Sequence, residues 1–186
     1  MFDDLRAACR RDPALSGLAV LEVLLYPGVW AVWAHRVAHR LYRWRLPLLP
    51  RVLSQLTRLG TGIEIHPGAR IGRRLFIDHG AGVVIGQTAR IGDDVTMYHQ
   101  VTLGARGWWT GGAAGRRHPV VGDRVVLGVG ATLLGPIRVG DDARVGAHCL
   151  VVSDVAPGAR LRAAAAVEDF DLHRPSRPTG PVKERT

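Results

Sequence analysis

From Ile63 onward the apolar positions follow neither the 3.6-residue period of a helix nor the two-residue alternation of a half-buried strand. Ile65, Ile71 and Ile77 stand six apart; after a two-residue offset Ile85, Ile91, Met97 and Leu103 continue the spacing, and Val121, Leu127, Leu133, Val139, Val145 and Val151 resume it. Small or apolar side chains sit four positions after most of these, as at Ala69, Ala81, Ala89, Val95, Val101, Val125, Ala131, Ala143, Cys149 and Val155, and Gly often stands second, as at Gly72, Gly86, Gly92, Gly122, Gly128, Gly140 and Gly146. A six-residue repeat of this form predicts a parallel β-helix in which each hexad is one flat side of a coil. The interior of such a coil is narrow, so its core must be small and aliphatic. Cys149 belongs to it as a buried small hydrophobe.

The repeat breaks once, between Leu103 and Val121, where five Gly, Trp108-Trp109 and Arg116-Arg117 cannot form a flat hexad. This stretch is expected to leave the surface as a loop, and an exposed Trp pair suggests a partner for it. Ahead of Ile63 the rhythm is helical. Pro27 suits a first helical position, Trp30, Trp33, Val37, Leu41 and Trp44 form an apolar stripe opposed by Arg36, Arg40 and Arg43, and Arg51 to Leu59 is expected to be a second helix. The stripe must pack on something, its own chain or a neighbouring subunit. The expected class is therefore mainly β with an α N-terminal region. Residues 1–60 form a helical region that caps the first coil, 61–165 the β-helix with a loop protruding over 104–120, and 166–186 a charged, Pro-rich tail.

Composition narrows the picture. With 47% hydrophobic and 22% charged residues in 186, wholesale disorder is excluded. Two cysteines, Cys9 and Cys149, cannot make a disulfide framework, and no signal-peptide pattern opens the chain, so a reducing cytoplasm is expected. The uncharged stretch from Val23 to Ala34 is too short to span a bilayer and contains Pro27; no membrane association is expected. The net charge of +9 is the outlying number. It reflects Arg use more than a nucleic-acid partner, and nucleic-acid binding is not expected. His35 and His39 lie at i and i+4, a possible metal spacing, but no third ligand is near in sequence and no metal is expected.

Candidate chemistry lies where polar residues stand without the repeat requiring them: Glu64-Ile65-His66-Pro67, Ile77-Asp78-His79-Gly80 and Arg116-Arg117-His118-Pro119. Taken singly each has a plain structural reading. Asp78 serves as a turn residue, Asp12 as a helix cap, Arg117 as a solvated loop charge, and His66, His99 and His148 as surface or inter-coil residues.

Together with Asp12-Pro13-Ala14, Tyr26-Pro27-Gly28, His35-Arg36-Val37-Ala38-His39 and Val101-Thr102-Leu103-Gly104, these blocks stand in an order that resembles the serine O-acetyltransferases, members of the hexapeptide-repeat acyltransferases, from about Asp12 to Val155. The resemblance implies a left-handed parallel β-helix behind an α-helical region, transferring acetyl from acetyl-CoA to the hydroxyl of L-serine, the first step of cysteine biosynthesis. A serine hydroxyl is a poor nucleophile at neutral pH, and attack on a thioester needs a base that titrates in the useful range. His79 takes that role by resemblance, with Glu64, where relatives often carry the shorter Asp, orienting its ring. The resemblance further implies that Asp12 and Asp78 hold the serine amino group, that Arg117 and His118 receive its carboxylate, and that Gly104, Ala105, Arg106, Trp108, Trp109, Gly128 and Val129 contact acetyl-CoA. Transfer would be direct, without an acyl-enzyme, and would need an oxyanion donor, most simply a backbone N–H near Gly104. A homotrimer is implied, with pairing of two trimers left open. The chain ends in Thr186 where partners of O-acetylserine sulfhydrylase end in Ile, so that complex is not expected. A same-fold acetyltransferase for another small alcohol or a sugar, and a non-catalytic β-helix scaffold, are the alternatives.

Overall fold

The computed structural model describes residues 3–5, 9, 22–107 and 115–163. Asp12, Trp108, Trp109 and the 166–186 tail lie outside the described residues. Fourteen short strands stack as a left-handed parallel β-helix of triangular section with three sheets. Sheet A contains β1 (Glu64–Ile65), β4 (Val84–Ile85), β7 (Thr102–Gly104), β10 (Thr132–Leu134) and β13 (Leu150–Val151). Sheet B contains β2 (Arg70–Ile71), β5 (Arg90–Ile91), β8 (Val120–Val121) and β11 (Arg138–Val139). Sheet C contains β3 (Phe76–Ile77), β6 (Thr96–Met97), β9 (Val126–Leu127), β12 (Arg144–Val145) and β14 (Arg160–Leu161). Each strand is two or three residues long because the chain must turn through a corner after every flat side. In-register pairs such as Ile65↔Ile85, Ile71↔Ile91 and Ile77↔Met97 put the aliphatic hexad positions one above another along the axis.

Those positions form the core: Ile65, Ile77, Ile85, Ile91, Met97, Leu103, Leu127, Leu133, Val145 and Val151 are buried, and so are the small positions, with Cys149 among them. Ala81 is the exception. It is exposed, and Val83 is buried in its stead, because the two-residue offset falls between Ile77 and Val83 and carries Ala81 out of the interior. β7 ends at Gly104 and β8 begins at Val120; of the expected loop between them, residues 108–114 lie outside the described residues.

Two helices close the first coil. The first, α1 (Pro27–Arg43), starts at Pro27 as expected, and α2 (Leu49–Thr61) is two residues longer at each end than Arg51 to Leu59. Within this chain the expected stripe of α1 is divided, with Trp33 packed against Val23, Val29 and Phe76. Trp30, Val37 and Trp44 are at least half exposed, and the buried face is Gly28, Val29, Ala31, Val32, His35 and Ala38. A helix seated on the flat end of a narrow coil must approach its backbone closely, and that favours small side chains. At Gly28 a Cβ would collide with the Ile77 carbonyl oxygen. Buried Ser54 of α2 donates its hydroxyl to the Ile65 carbonyl at 3.0 Å, tying the second helix to β1. No helix among the described residues is long and apolar enough to cross a membrane.

Candidate active site

The corner between sheets C and A is four residues long in the later coils, Tyr98–Val101, Gly128–Ala131 and Gly146–Cys149, and its third residue bonds back to the previous coil: Gln100 N–H to Ala81 C=O, Gly130 to His99 and His148 to Val129. In the first coil the same corner runs from Asp78 to Val83. Asp78 N–H reaches Met97 C=O just as Tyr98 N–H reaches Leu127 C=O, and Gly82 N–H takes the regular bond to Gly62 C=O, so the two surplus residues are His79 and Gly80. Both have left-handed backbones, φ 59° and 77°. A φ near +60° is the corner habit of this solenoid, shared by Gln100 and His148, and marks nothing by itself. The departure is that His79 occupies no slot in the ladder. Its side chain is 75% exposed, Nε2 is 4.0 Å from Asp78 Oδ1, and its ring meets that of His99 edge to face with centroids 5.9 Å apart.

Glu64, the expected orienting carboxylate, begins β1 and accepts an ion pair from Arg58 of α2 at 3.0 Å. Asp78 is the carboxylate at the His79 ring. Gly128 and Val129 lie on the same C–A corner two coils on, in line with His99 through the Gly130 N–H bond.

Arg117 and His118 stand elsewhere, at the A–B corner where the loop returns. The buried His118 ring lies flat against Gly86; a Cβ at Gly86 would overlap it. Thr88 builds the rest of the cradle. Its Oγ1 accepts the backbone N–H groups of Arg117 at 2.9 Å and His118 at 3.1 Å and lies 2.8 Å from His118 Nδ1, and its own N–H donates to that Nδ1 at 3.2 Å. A backbone N–H can only donate, so Nδ1 accepts and the proton of the neutral ring sits on Nε2. Burial and the Arg117 charge hold His118 below the usual imidazole range. Arg117 donates to Gln87 Oε1 at 3.1 Å, and Gln87 Nε2 donates to Tyr42 OH at 3.1 Å. His66, set aside in the sequence as a surface residue, belongs to this corner. Its Nδ1 accepts from Gly68 N–H at 2.9 Å, and burial with Arg51, His118 and Arg117 lowers its pKa to about 4. A guanidinium beside a neutral N–H donor suits a carboxylate. Gly104, Ala105 and Arg106 follow β7 into the same corner. Arg116 donates to the Ile137 carbonyl at 3.0 Å.

The expected residues divide between two corners. His79, Asp78, Gly128 and Val129 share one edge of the prism, and Arg117, His118, Gly104, Ala105 and Arg106 the next, with the outer face of sheet A between them. Nothing in the repeat announced Gln87, Thr88 or Tyr42. A hexad whose second to fourth positions read Gly-Gln-Thr fits the solenoid without any ligand.

No family model matches the chain. The serine acetyltransferase of Mycobacterium tuberculosis is 55% identical over 160 residues, covering 86% of this chain and 67% of that relative. The chain belongs to the serine acetyltransferase family. The serine acetyltransferase of Helicobacter pylori J99 is 57% identical over 144 residues, 77% of this chain and 82% of that protein. Among solved structures, serine acetyltransferase isoform 3 of Entamoeba histolytica in complex with cysteine superposes with TM-score 0.82 at 38% identity, covering 91% of this chain and 59% of that one. The Neisseria gonorrhoeae serine acetyltransferase in complex with serine gives 0.80 at 39%, covering 88% and 65%. The chain thus spans about three fifths of the solved serine acetyltransferases it matches. As a member of this family it is an acyltransferase, and the family implies acetyl-CoA as cosubstrate. Among the described residues no three potential ligands gather into a metal site.

Proposed function

We propose that the chain transfers acetyl from acetyl-CoA directly to the hydroxyl of L-serine at a site assembled from two subunits of a homotrimer. The observation that carries this reading is the division of the expected residues between two corners. A serine molecule spans about 5 Å from hydroxyl to carboxylate, a few bonds of ~1.5 Å. The corners stand one flat side apart, roughly 15 Å at about 3.3 Å per residue. One serine cannot reach both within a chain. A neighbouring subunit brings the Arg117–His118 corner of one chain to the His79 corner of the next. Val84 and Leu150, partly or largely exposed on sheet A between the corners, suit that contact.

In this site Arg117 and His118 Nε2–H hold the serine carboxylate, and Asp78 with Asp12 receives the ammonium group. His79 removes the hydroxyl proton as the oxygen attacks the thioester carbonyl, and the proton passes to the departing CoA sulfur, so no acyl-enzyme forms. The imidazolium that develops is stabilised by Asp78 beside it and by Glu64 once that carboxylate leaves Arg58. Gly104, Ala105, Arg106, Trp108, Trp109, Gly128 and Val129 line the path of acetyl-CoA. Residues 1–60 serve as the cap and 61–165 as the catalytic body. Exposed Val52, Leu56 and Leu59 on one face of α2 are the surface through which two trimers would pair. Two free cysteines accord with a cytoplasmic setting.

The test is subunit complementation, reading serine-dependent CoA release. His79→Ala and Arg117→Ala chains, each inactive alone, regain roughly one quarter of wild-type activity when unfolded together and refolded as mixed trimers, since half the chains carry each lesion and a site needs one of each kind in order. No recovery in verified mixed trimers places the whole site in one chain and overturns the reading.

A further inference from the structure

We infer that the cleft between the C-terminal end of α1 and the outer face of sheet B is a binding site for a small multivalent phosphate, separate from the acetyl-CoA path. The cleft measures about 1270 Å³, and Arg40, Arg43 and Arg45 on its helical side face Arg70 on β2, with His35 and Tyr42 also lining it. A second hollow of about 380 Å³ shares Tyr42, Gly68 and Arg70 with the first, adds Arg90, and reaches Gln87 and Thr88 of the Arg117–His118 corner.

The cleft gathers arginines from two elements. At the B–C corner arginines are answered by carboxylates: Arg74 holds Asp94 at 2.7 Å, Arg124 holds Asp142 at 2.8 Å, and Arg73 holds Asp93 at 3.2 Å. Arg40, Arg43, Arg45, Arg70 and Arg90 make no ion pair among the described residues. Arg70 and Arg90 are also direct register partners on adjacent parallel strands, as Arg144 and Arg160 are on sheet C, but here the like-charged pair borders a concave surface. Finally, His35 is 5% exposed, and its Nδ1 is buried with no hydrogen-bond partner. Burial, with His39 and Arg36, lowers its pKa to about 3, so the ring is neutral and adds no charge of its own to the arginine group. Arg40 and Arg43 in the last turn of α1 complement the helix dipole, but a dipole of about half a charge does not balance the whole group. Planar guanidinium groups converging on a concave surface from two elements suit phosphate oxygens, taken two at a time.

The probe is inorganic tripolyphosphate, titrated calorimetrically into the full chain at physiological ionic strength with coenzyme A saturating. One molecule is expected to bind per chain, with affinity that falls as salt rises. In Arg40→Gln/Arg70→Gln the affinity falls about tenfold or more, and in Arg43→Gln/Arg45→Gln by a similar factor. Acetyl transfer to serine without phosphate stays at the wild-type rate in both variants, and unchanged melting midpoints show them folded. Absence of binding, equal affinity in wild type and both variants, or displacement of tripolyphosphate by coenzyme A each overturns the site. So does tighter binding of a mixed-sequence oligonucleotide that the same variants abolish, which would make the cleft a nucleic-acid surface.

Discussion

Two corners of the same prism are built in opposite ways. At the B–C corner the first three coils repeat one solution. Arg73 N–H donates to Asp93 Oδ1 at 2.8 Å, Asp93 N–H to Asp123 Oδ1 at 2.7 Å, and Asp123 N–H to Asp141 Oδ1 at 2.9 Å, while the Gly that precedes each turn leaves room for the next carboxylate. The backbone donors there are answered by the neighbouring coil. At the C–A corner the first coil inserts His79 and Gly80, and the inserted side chain is left exposed with a carboxylate at 4.0 Å. The regular corner is a device for stacking. The irregular one gives up a ladder position to present an imidazole, and that is the physical ground for looking there for chemistry.

The widest separation between the two corners is expected in turnover. His79→Ala should lower serine-dependent CoA release by about a thousandfold, within the range for a lost general base, while its melting midpoint stays near wild type because the ring supports no ladder bond. A variant that keeps more than a tenth of the activity would remove the distinction. Gly122→Ala should do the reverse. Its Cβ would meet Asp141 Oδ1 and the Asp141 N, so a loss of about 1–3 kcal/mol in denaturant unfolding is expected, with kcat unchanged in what remains folded.

Acidification separates buried from exposed imidazoles. His35 and His66, held at about 3 and about 4, are neutral when folded and titrate near 6.5 when unfolded. The unfolded chain therefore takes up more protons as pH falls. The stability they contribute is complete above about 6.5 and is lost progressively toward the folded values, by about 2 kcal/mol for His35 between pH 6.5 and 5. Urea unfolding at pH 7.5 and pH 5 measures it; His35→Gln should flatten the dependence, and an equal slope in the variant would exclude this source. The smallest effect belongs to the regular corner again. Asp142→Asn removes a bidentate but exposed partner of Arg124, and both the melting midpoint and turnover should hardly change.

Much of the solenoid was legible because a hexad admits little else: thirteen aliphatic positions fixed the inward faces, and the eight-residue step from Ile77 to Ile85 located the insertion. The orientation of α1 was not legible. Periodicity scores Trp30, Val37 and Trp44 as the packing stripe, whereas the end of a narrow coil selects Gly28, Ala31 and Ala38 for their size. In the site, the sequence named His79, Arg117 and His118 but not their distribution over two edges, which depends on how many residues each corner consumes. It also paired Glu64 with His79 by resemblance, and could not foresee Arg58, which arrives from a separate helix to take that carboxylate at 3.0 Å.

The seat of α1 on the first coil has one more implication. Gly28 rests on the carbonyl of Ile77, the residue immediately before Asp78, and Phe76 is buried among Val23 and Val29 of the helical region. The strand that ends in the Asp78-His79 turn is therefore clamped from outside the solenoid. Whatever grips the helical cap bears, through Gly28, on the backbone immediately before Asp78 and His79.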